Sequence, residues 1–196
     1  MNKNSLKNIA TQVIDLEINA LKILKKSVDK NFDKAVNTIV NCQSKIILCG
    51  VGKSGLIAAK IASTLSSVGS PAFSLSANDC LHGDLGSITR KDVLILISNS
   101  GKSEEIIPII KFANRNKIKL IGIVSKKNSF LYKGSDIKIL LPEVKESGLG
   151  VVPTSSTSIQ LAIGDALAIA SLKKKQFSKY DFSRLHPGGN LGKQLK

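Results

Sequence analysis

The sequence predicts an α/β fold: a doubly wound, three-layer sandwich with a mostly parallel sheet, preceded by N-terminal helices. Three observations predict it. Short, continuously apolar runs recur from residue 45 onward, as strands buried on both faces require. Segments of helical periodicity separate these runs, which calls for crossover connections and parallel neighbours. Several runs end in turns of small residues, and ligands in such folds sit beyond the carboxyl ends of the strands.

The elements follow in order. Residues 5–43 read as two helices. Ile9, Val13, Leu16, Ile18, Leu21 and Leu24 form an apolar stripe with lysines opposite. The pattern breaks around Asn31 and restarts through Phe32, Ala35, Val36, Ile39 and Val40. Residues 1–44 are thus expected to form a helical arm, packed on a 45–196 core or on a second subunit. A strand over 45–50 leads into a helix over 53–67. Strands over 71–76 and 92–98 follow, then a helix over 104–116 and a strand over 119–125. A short helix near Phe130, a strand over 137–142 and a long helix from about Ser155 to Lys173 complete the chain.

A length of 196 residues fits one compact domain. No apolar run approaches the ~18 residues of a membrane helix, and the N-terminus has no signal-peptide core, so the expectation is a cytoplasmic protein with no membrane partner. The net charge of +15 raises the possibility of nucleic acid. All but three of the 29 basic residues are lysines, spread along the chain without interleaved aromatics. Only Arg90, Arg115 and Arg184 could make bidentate base contacts, so nucleic acid is excluded as the partner. Cys42, Cys49 and Cys80 are odd in number and lack CxxC spacing, which argues against a disulfide framework and a zinc site. Cys42 and Cys49 are expected to be buried free thiols.

"GVGKSG" (50–55) fits the dinucleotide G-x-G-x-x-G pattern, but the following strand ends without the required acidic residue. "GKS" occurs at 52–54 and 101–103, yet Ile47 and Leu96 stand where a P-loop needs glycine. What remains is a repeated theme of strand, small-residue turn and helix start. The free amides and positive dipole end of a helix bind anions, and serine hydroxyls complete the coordination. One serine-rich turn is ordinarily a helix cap. Here there are two, Ser98, Asn99, Ser100 and Ser103 after one strand, and Thr154, Ser155 and Ser156 at the start of the long helix. Together they predict a neutral cup for a phosphate monoester.

The segments "GVGKSG", "HGDLG" (82–86), "ISNSGKSEEI" (97–106), "VPTSSTS" (152–158), "GDALA" (164–168) and "HPGGNLGK" (186–193) form an ordered set over nearly all of residues 45–196. With them the chain resembles the sugar isomerase (SIS) domain family, and within it the arabinose-5-phosphate isomerases. The resemblance implies an aldose–ketose isomerase of D-ribulose 5-phosphate and D-arabinose 5-phosphate that supplies 3-deoxy-octulosonate for lipopolysaccharide or capsule. It further implies a homotetramer that uses no metal and no organic cofactor. Family members commonly continue into a tandem cystathionine-β-synthase-like pair, whereas this sequence stops at Lys196, so a short form is expected. Four positions depart from the family pattern: Ala77, Asn78 and Asp79 replace Pro-Gly-Glu, and Lys102 stands where relatives are often acidic.

Moving a proton between C1 and C2 through a cis-enediolate needs a base, a cation or acid near the oxygens, and a phosphate anchor. Glu146, in a loop with no helical pattern, is a candidate base if partial desolvation raises its pKa. Lys53 opens a helix, a poor place for a cation, which suggests that it points at an anion or enediolate oxygen. Both histidines, His82 and His186, lie in glycine-bracketed loops, and His titrates near neutrality. By resemblance His186 is the stronger catalytic candidate, delivered from the same or a neighbouring subunit. Glu105 joins the catalytic set by resemblance from the first turn of its helix, and Gly52, Ser54 and His82 join the binding set. Glu146 is slightly favoured over His186 as the C–H base, with His186 as oxygen shuttle. Asp165, within an almost wholly apolar helix, reads as structural, and that helix suggests burial against another layer or subunit. The rivals are another SIS sugar-phosphate isomerase, acting on a hexulose or heptose phosphate, and a non-catalytic sugar-phosphate sensor.

Overall fold

The structure is a computed structural model that describes residues 5–188. The end of the "HPGGNLGK" motif and the outermost residues of both expected domains lie outside them. The chain opens with α1 (Leu6–Ser27) and α2 (Lys30–Val40). Ser5 caps α1 by accepting from the Asn8 amide, and Asp29 caps α2 by accepting from the Asn31 amide. The break between helices therefore falls at Val28–Asp29, and Asn31 already belongs to α2.

The core then runs β1 (Ile46–Gly50), α3 (Lys53–Ser67), β2 (Ala72–Ser76), α4 (Ala77–Cys80) and a 3-10 turn over Asp84–Ser87. It continues with β3 (Val93–Ser98), α5 (Ile106–Arg115), β4 (Lys119–Val124), α6 (Phe130–Gly134), β5 (Ile137–Leu140), α7 (Ser155–Lys174) and α8 (Lys179–Leu185). All pairs among these strands are parallel, in the order β2-β1-β3-β4-β5. The order reverses between β1 and β3, which makes their carboxyl ends the topological switch point.

Alternation along each strand builds two cores. Ile46, Leu48, Ile95, Ile97, Ile121 and Ile123 face α1, α2, α3 and α7. Ile47, Cys49, Leu94, Leu96, Leu120 and Val124 face α4, α5 and α6. This two-sided burial is why the strands read as unbroken apolar runs. Of the thiols, all three are free, with Cys49 and Cys80 buried and Cys42 half-buried.

The apolar helix α7 packs against α1, α2 and α3 of the same chain. Its character is thus accounted for without a second copy. Asp165 is not buried: its side chain is 43% exposed and pairs with Lys60. On α1, Leu6, Ile9, Ile14 and Ile18 remain exposed. Among the described residues, no helix is long and apolar enough to cross a membrane.

At the amino end of the sheet Asp92 ties the strands to their approach. Its carboxylate, 0% exposed, accepts from the Lys45 amide and Nζ and from the Thr89 amide and hydroxyl, at 2.6–3.2 Å. Burial pushes this carboxyl up, but hydrogen bonds from Thr89, Ser44 and Lys45 outweigh it and hold the pKa at about 2.

Candidate functional site

A cleft of about 440 Å³ opens at the switch point. The β1–α3 connection supplies Val51, Lys53 and Ser54, and the turn after β3 supplies Asn99. The loop between β5 and α7 supplies Glu146, Val151 and Pro153, and α7 itself supplies Ser156, Thr157 and Gln160.

The glycines of "GVGKSG" build the first wall. A Cβ on Gly50 would lie 2.8 Å from the Ser54 backbone, and one on Gly55 2.8 Å from the Gly50 carbonyl oxygen. The pattern that looked like a dinucleotide fingerprint is thus what lets α3 start hard against β1. Gly52 precedes the helix at φ 57, a left-handed conformation, and offers no side-chain cap. Lys53 is exposed at the first helical position and has no ion-pair partner among the described residues. The Ser54 hydroxyl donates to Gln160 Oε1 at 3.2 Å, joining α3 to α7.

After β3 the chain makes a turn before any helix. Ser98 Oγ accepts from the Gly101 amide at 3.0 Å, and Ser100 Oγ accepts from the Lys102 amide at 3.3 Å. A hydroxyl that accepts in this way keeps its own proton to donate. Asn99 Oδ1 accepts from the Ser125 hydroxyl at 2.7 Å, which leaves its amide nitrogen to be used elsewhere. Helix α5 begins only at Ile106, with Glu105 as its N-cap residue and no side-chain cap bond. Glu105 therefore stands one position outside the helix, rather than within the first turn as the sequence suggested.

Glu146 occupies the amino end of α7. Its Oε2 accepts from the Thr154 amide at 2.9 Å, the Thr154 hydroxyl at 3.2 Å and the Ser156 amide at 3.3 Å. The sequence-based condition on this residue was a raised pKa, and the structure reverses it. Burial does push the carboxyl up, but hydrogen bonds from Ser156 and Thr154 outweigh it and hold it below the usual carboxylate range. Glu146 is ionised at neutral pH.

Of the residues singled out from sequence, the cleft unites Lys53, Ser54, Asn99, Glu146 and Ser156. Thr154 borders it through Glu146. Ser98 is buried at the base of its turn, Ser100 is exposed and Ser103 half-buried. Ser155 is 0% exposed and its Oγ has no partner among the described residues, so its hydroxyl faces the interior. Glu105 and His82 do not line the cleft, and His82 is exposed in the turn after α4. His186 follows α8 and is not among the residues that line the cleft, and its ring stacks on Phe182 at 3.9 Å. Its Nδ1 is 2.8 Å from the Phe182 carbonyl oxygen, so Nδ1 carries the proton in the neutral ring and Nε2 is the free acceptor. Of the polar residues of the cleft, Thr157 belongs to the hydroxyl cluster read over 154–158, and Gln160 escaped the sequence reading. The signal for Gln160 was a polar side chain one helical turn beyond Ser156, on the same face of α7.

The SIS domain matches residues 39–170. Arabinose 5-phosphate isomerase KdsD of Francisella tularensis is 45% identical over 192 residues, covering 96% of this chain and 59% of the relative. The protein of the same name from Yersinia pestis is 42% identical over 185 residues, covering 94% of this chain and 56% of the relative. The chain thus spans under two thirds of the length of these curated relatives. Among solved structures, an Escherichia coli protein in complex with arabinose 5-phosphate superposes with a TM-score of 0.90 at 34% identity, covering 95% of this chain and 100% of that one.

Proposed function

The chain belongs to the SIS domain family, and on that premise we propose that it is an aldose–ketose isomerase interconverting D-ribulose 5-phosphate and D-arabinose 5-phosphate. The observation that carries this reading is the meeting of a lysine without an ion-pair partner among the described residues and an ionised glutamate in one cleft, next to a turn rich in free hydroxyl protons. The names of the relatives and the sugar phosphate bound to the E. coli protein support the choice of sugar.

In this mechanism the phosphate lies in the Ser98–Ser103 turn, where Ser98, Ser100 and Ser103 donate to its oxygens. The open-chain sugar extends toward Lys53 and Glu146. Glu146 removes the proton from C1 of the ketose or C2 of the aldose. The released electron pair moves into the adjacent carbonyl, and the ammonium of Lys53 stabilises the enediolate oxygen. Glu146 then returns the proton to the other carbon. The depressed pKa of Glu146 is that of the free protein. A phosphate dianion nearby disfavours the charged carboxylate and raises its basicity when substrate is bound. Asn99, Ser54 and Ser156 are placed to hold the sugar hydroxyls, with Gly52 and Thr154 fixing the walls and Ser155 the helix beneath them.

His186 enters as the shuttle between O1 and O2 through Nε2. Because it does not line the cleft of its own chain, we assign it, with His82 and Glu105, to a site completed by a neighbouring copy in a homotetramer. The exposed apolar residues of α1 support such an assembly. Light scattering is expected to give four times the 20.9 kDa chain mass, and a stable monomer contradicts it. On this reading the product supplies 3-deoxy-D-manno-octulosonate biosynthesis. The activity is tested by following ribulose 5-phosphate turnover beside hexulose and heptose phosphates. Preference for either of the latter redirects the assignment within the family.

A further inference from the structure

Gln160 is a buried amide with half of its hydrogen bonding unmet. It sits in the wall of the cleft with 1% exposure, between Ile159 and Leu161 on a helix whose neighbouring positions are apolar. Its Oε1 accepts from the Ser54 hydroxyl at 3.2 Å. Its Nε2 is shielded from solvent and has no partner among the described residues. Buried side-chain polar atoms are almost always paired, because leaving a donor unmet forfeits the hydrogen bonds it made to water. A residue kept only to tie α3 to α7 through Ser54 has no use for the second end of an amide, and a serine or threonine pair does that work without an orphan.

We propose that Gln160 is a substrate-positioning residue, whose Nε2 donates to a hydroxyl or carbonyl oxygen of the sugar while Oε1 fixes the Ser54 hydroxyl beside it. This rests on the sugar-phosphate reading above and adds to it a specificity contact for the sugar part rather than the phosphate. The final torsion of glutamine is broad and soft, so a small rotation brings Nε2 to the cleft surface when an acceptor arrives. The unmet donor is then the ordinary signature of a site built for a ligand: it weakens the free protein and is satisfied in the complex. Discrimination follows as well, since a sugar lacking the matching oxygen leaves the amide unpaired.

The experiment compares the full chain with Gln160→Met and Gln160→Leu. Calorimetry gives the affinity for arabinose 5-phosphate and, separately, for inorganic phosphate, and thermal unfolding gives Tm without ligand. Methionine keeps the volume and removes the amide. Leucine also removes the amide, with a shorter, branched side chain and no charge, so an effect that both variants share belongs to the amide. Losing one neutral hydrogen bond lowers affinity roughly 3- to 10-fold, so both variants are expected to bind arabinose 5-phosphate that much more weakly, with inorganic phosphate affinity unchanged. The Met variant is also expected to melt about 2 °C or more above the parent, because the orphan donor is gone. The deciding quantity is the ratio of sugar-phosphate to phosphate affinity. An unchanged ratio in both variants overturns the assignment of Gln160 while leaving the sugar-phosphate reading intact. A parent chain that binds arabinose 5-phosphate no more tightly than phosphate overturns that reading, and the assignment with it.

Discussion

The two ends of the sheet carry grooves of similar size and opposite chemistry. At the amino end a groove of about 380 Å³ is lined by Asn37, Asn41, Arg90, Lys91, Asp92 and Lys119, among others. Its buried charge, Asp92, is saturated by Lys45 and Thr89. At the carboxyl end the cleft of about 440 Å³ is lined by Gln160, whose Nε2 lacks a partner among the described residues, and Ser147 Oγ and Ser155 Oγ, buried in the loop before α7 and in its first turn, lack one too. Ser171 Oγ, on the far half of α7, is the exception to this clustering. Volume does not separate the two grooves. What separates them is the buried polar group at each: both oxygens of Asp92 are paired, whereas Gln160 keeps a donor without a partner among the described residues. Both ends hold a carboxylate whose pKa is depressed by hydrogen bonds, so a shifted pKa by itself does not identify the site either.

The contrast breaks most sharply on turnover. Glu146→Gln is expected to lower kcat by about 10²–10⁴-fold, the range of a general base, while KM stays within a few-fold because the proposed phosphate contacts of the serine turn are left in place. Asp92→Asn, at the other end, is expected to leave kcat unaltered. Steady-state kinetics on the two variants decide it, and equal losses in both erase the distinction drawn here.

Stability reads the same contrast in reverse. Asp92→Ala leaves Lys45 without its buried partner, at a cost of about 3–5 kcal/mol, or a Tm lower by about 6–20 °C. The acid limb sharpens this. Asp92 titrates at about 2 in the folded chain against 3.8 as its ordinary value. Its contribution is therefore present above pH 3.8 and is lost as pH falls toward 2. Asp92→Asn is expected to flatten the unfolding profile in that window, and a profile like the parent's means that this network does not set acid stability.

The smallest effects belong to the serine turn. On the proposed reading Ser100→Ala and Ser103→Ala each remove one charge-assisted hydrogen bond to phosphate, worth about 1.5–3 kcal/mol, so KM is expected to rise roughly 10- to 150-fold. KM unchanged in both moves the phosphate out of this turn.

Much of this was legible in the sequence. The strands were, because burial on both faces leaves Ile46–Cys49 and Val93–Ile97 as uninterrupted apolar runs. The hydroxyl clusters were, because serine and threonine stood directly after or before those elements. Among the short helices α6 was, near Phe130, but α4 and α8 were not. Helix α4 has four residues and α8 seven, too few for a periodic stripe to emerge. Glu105 was misplaced because the Ser98 turn runs on for several residues before helical bonding starts at Ile106. Glu146 was legible as a site candidate but not in its electrostatics. Its capture by the Thr154 and Ser156 amides joins residues eight and ten positions apart, a contact that no local pattern encodes. Gln160 was hidden by its apolar neighbours, which made one polar letter read as packing.

The central claim is that Glu146, in the cleft beyond β1 and β3, moves a proton between the first two carbons of a sugar phosphate. The most direct test incubates arabinose 5-phosphate with the chain in deuterated water and follows deuterium at C2 by NMR, separately from conversion to ribulose 5-phosphate. The account predicts that the parent chain converts the sugar and incorporates deuterium at C2, and that Glu146→Gln does neither at a comparable rate while still binding the substrate. A Glu146→Gln variant that exchanges the C2 proton as fast as the parent contradicts it.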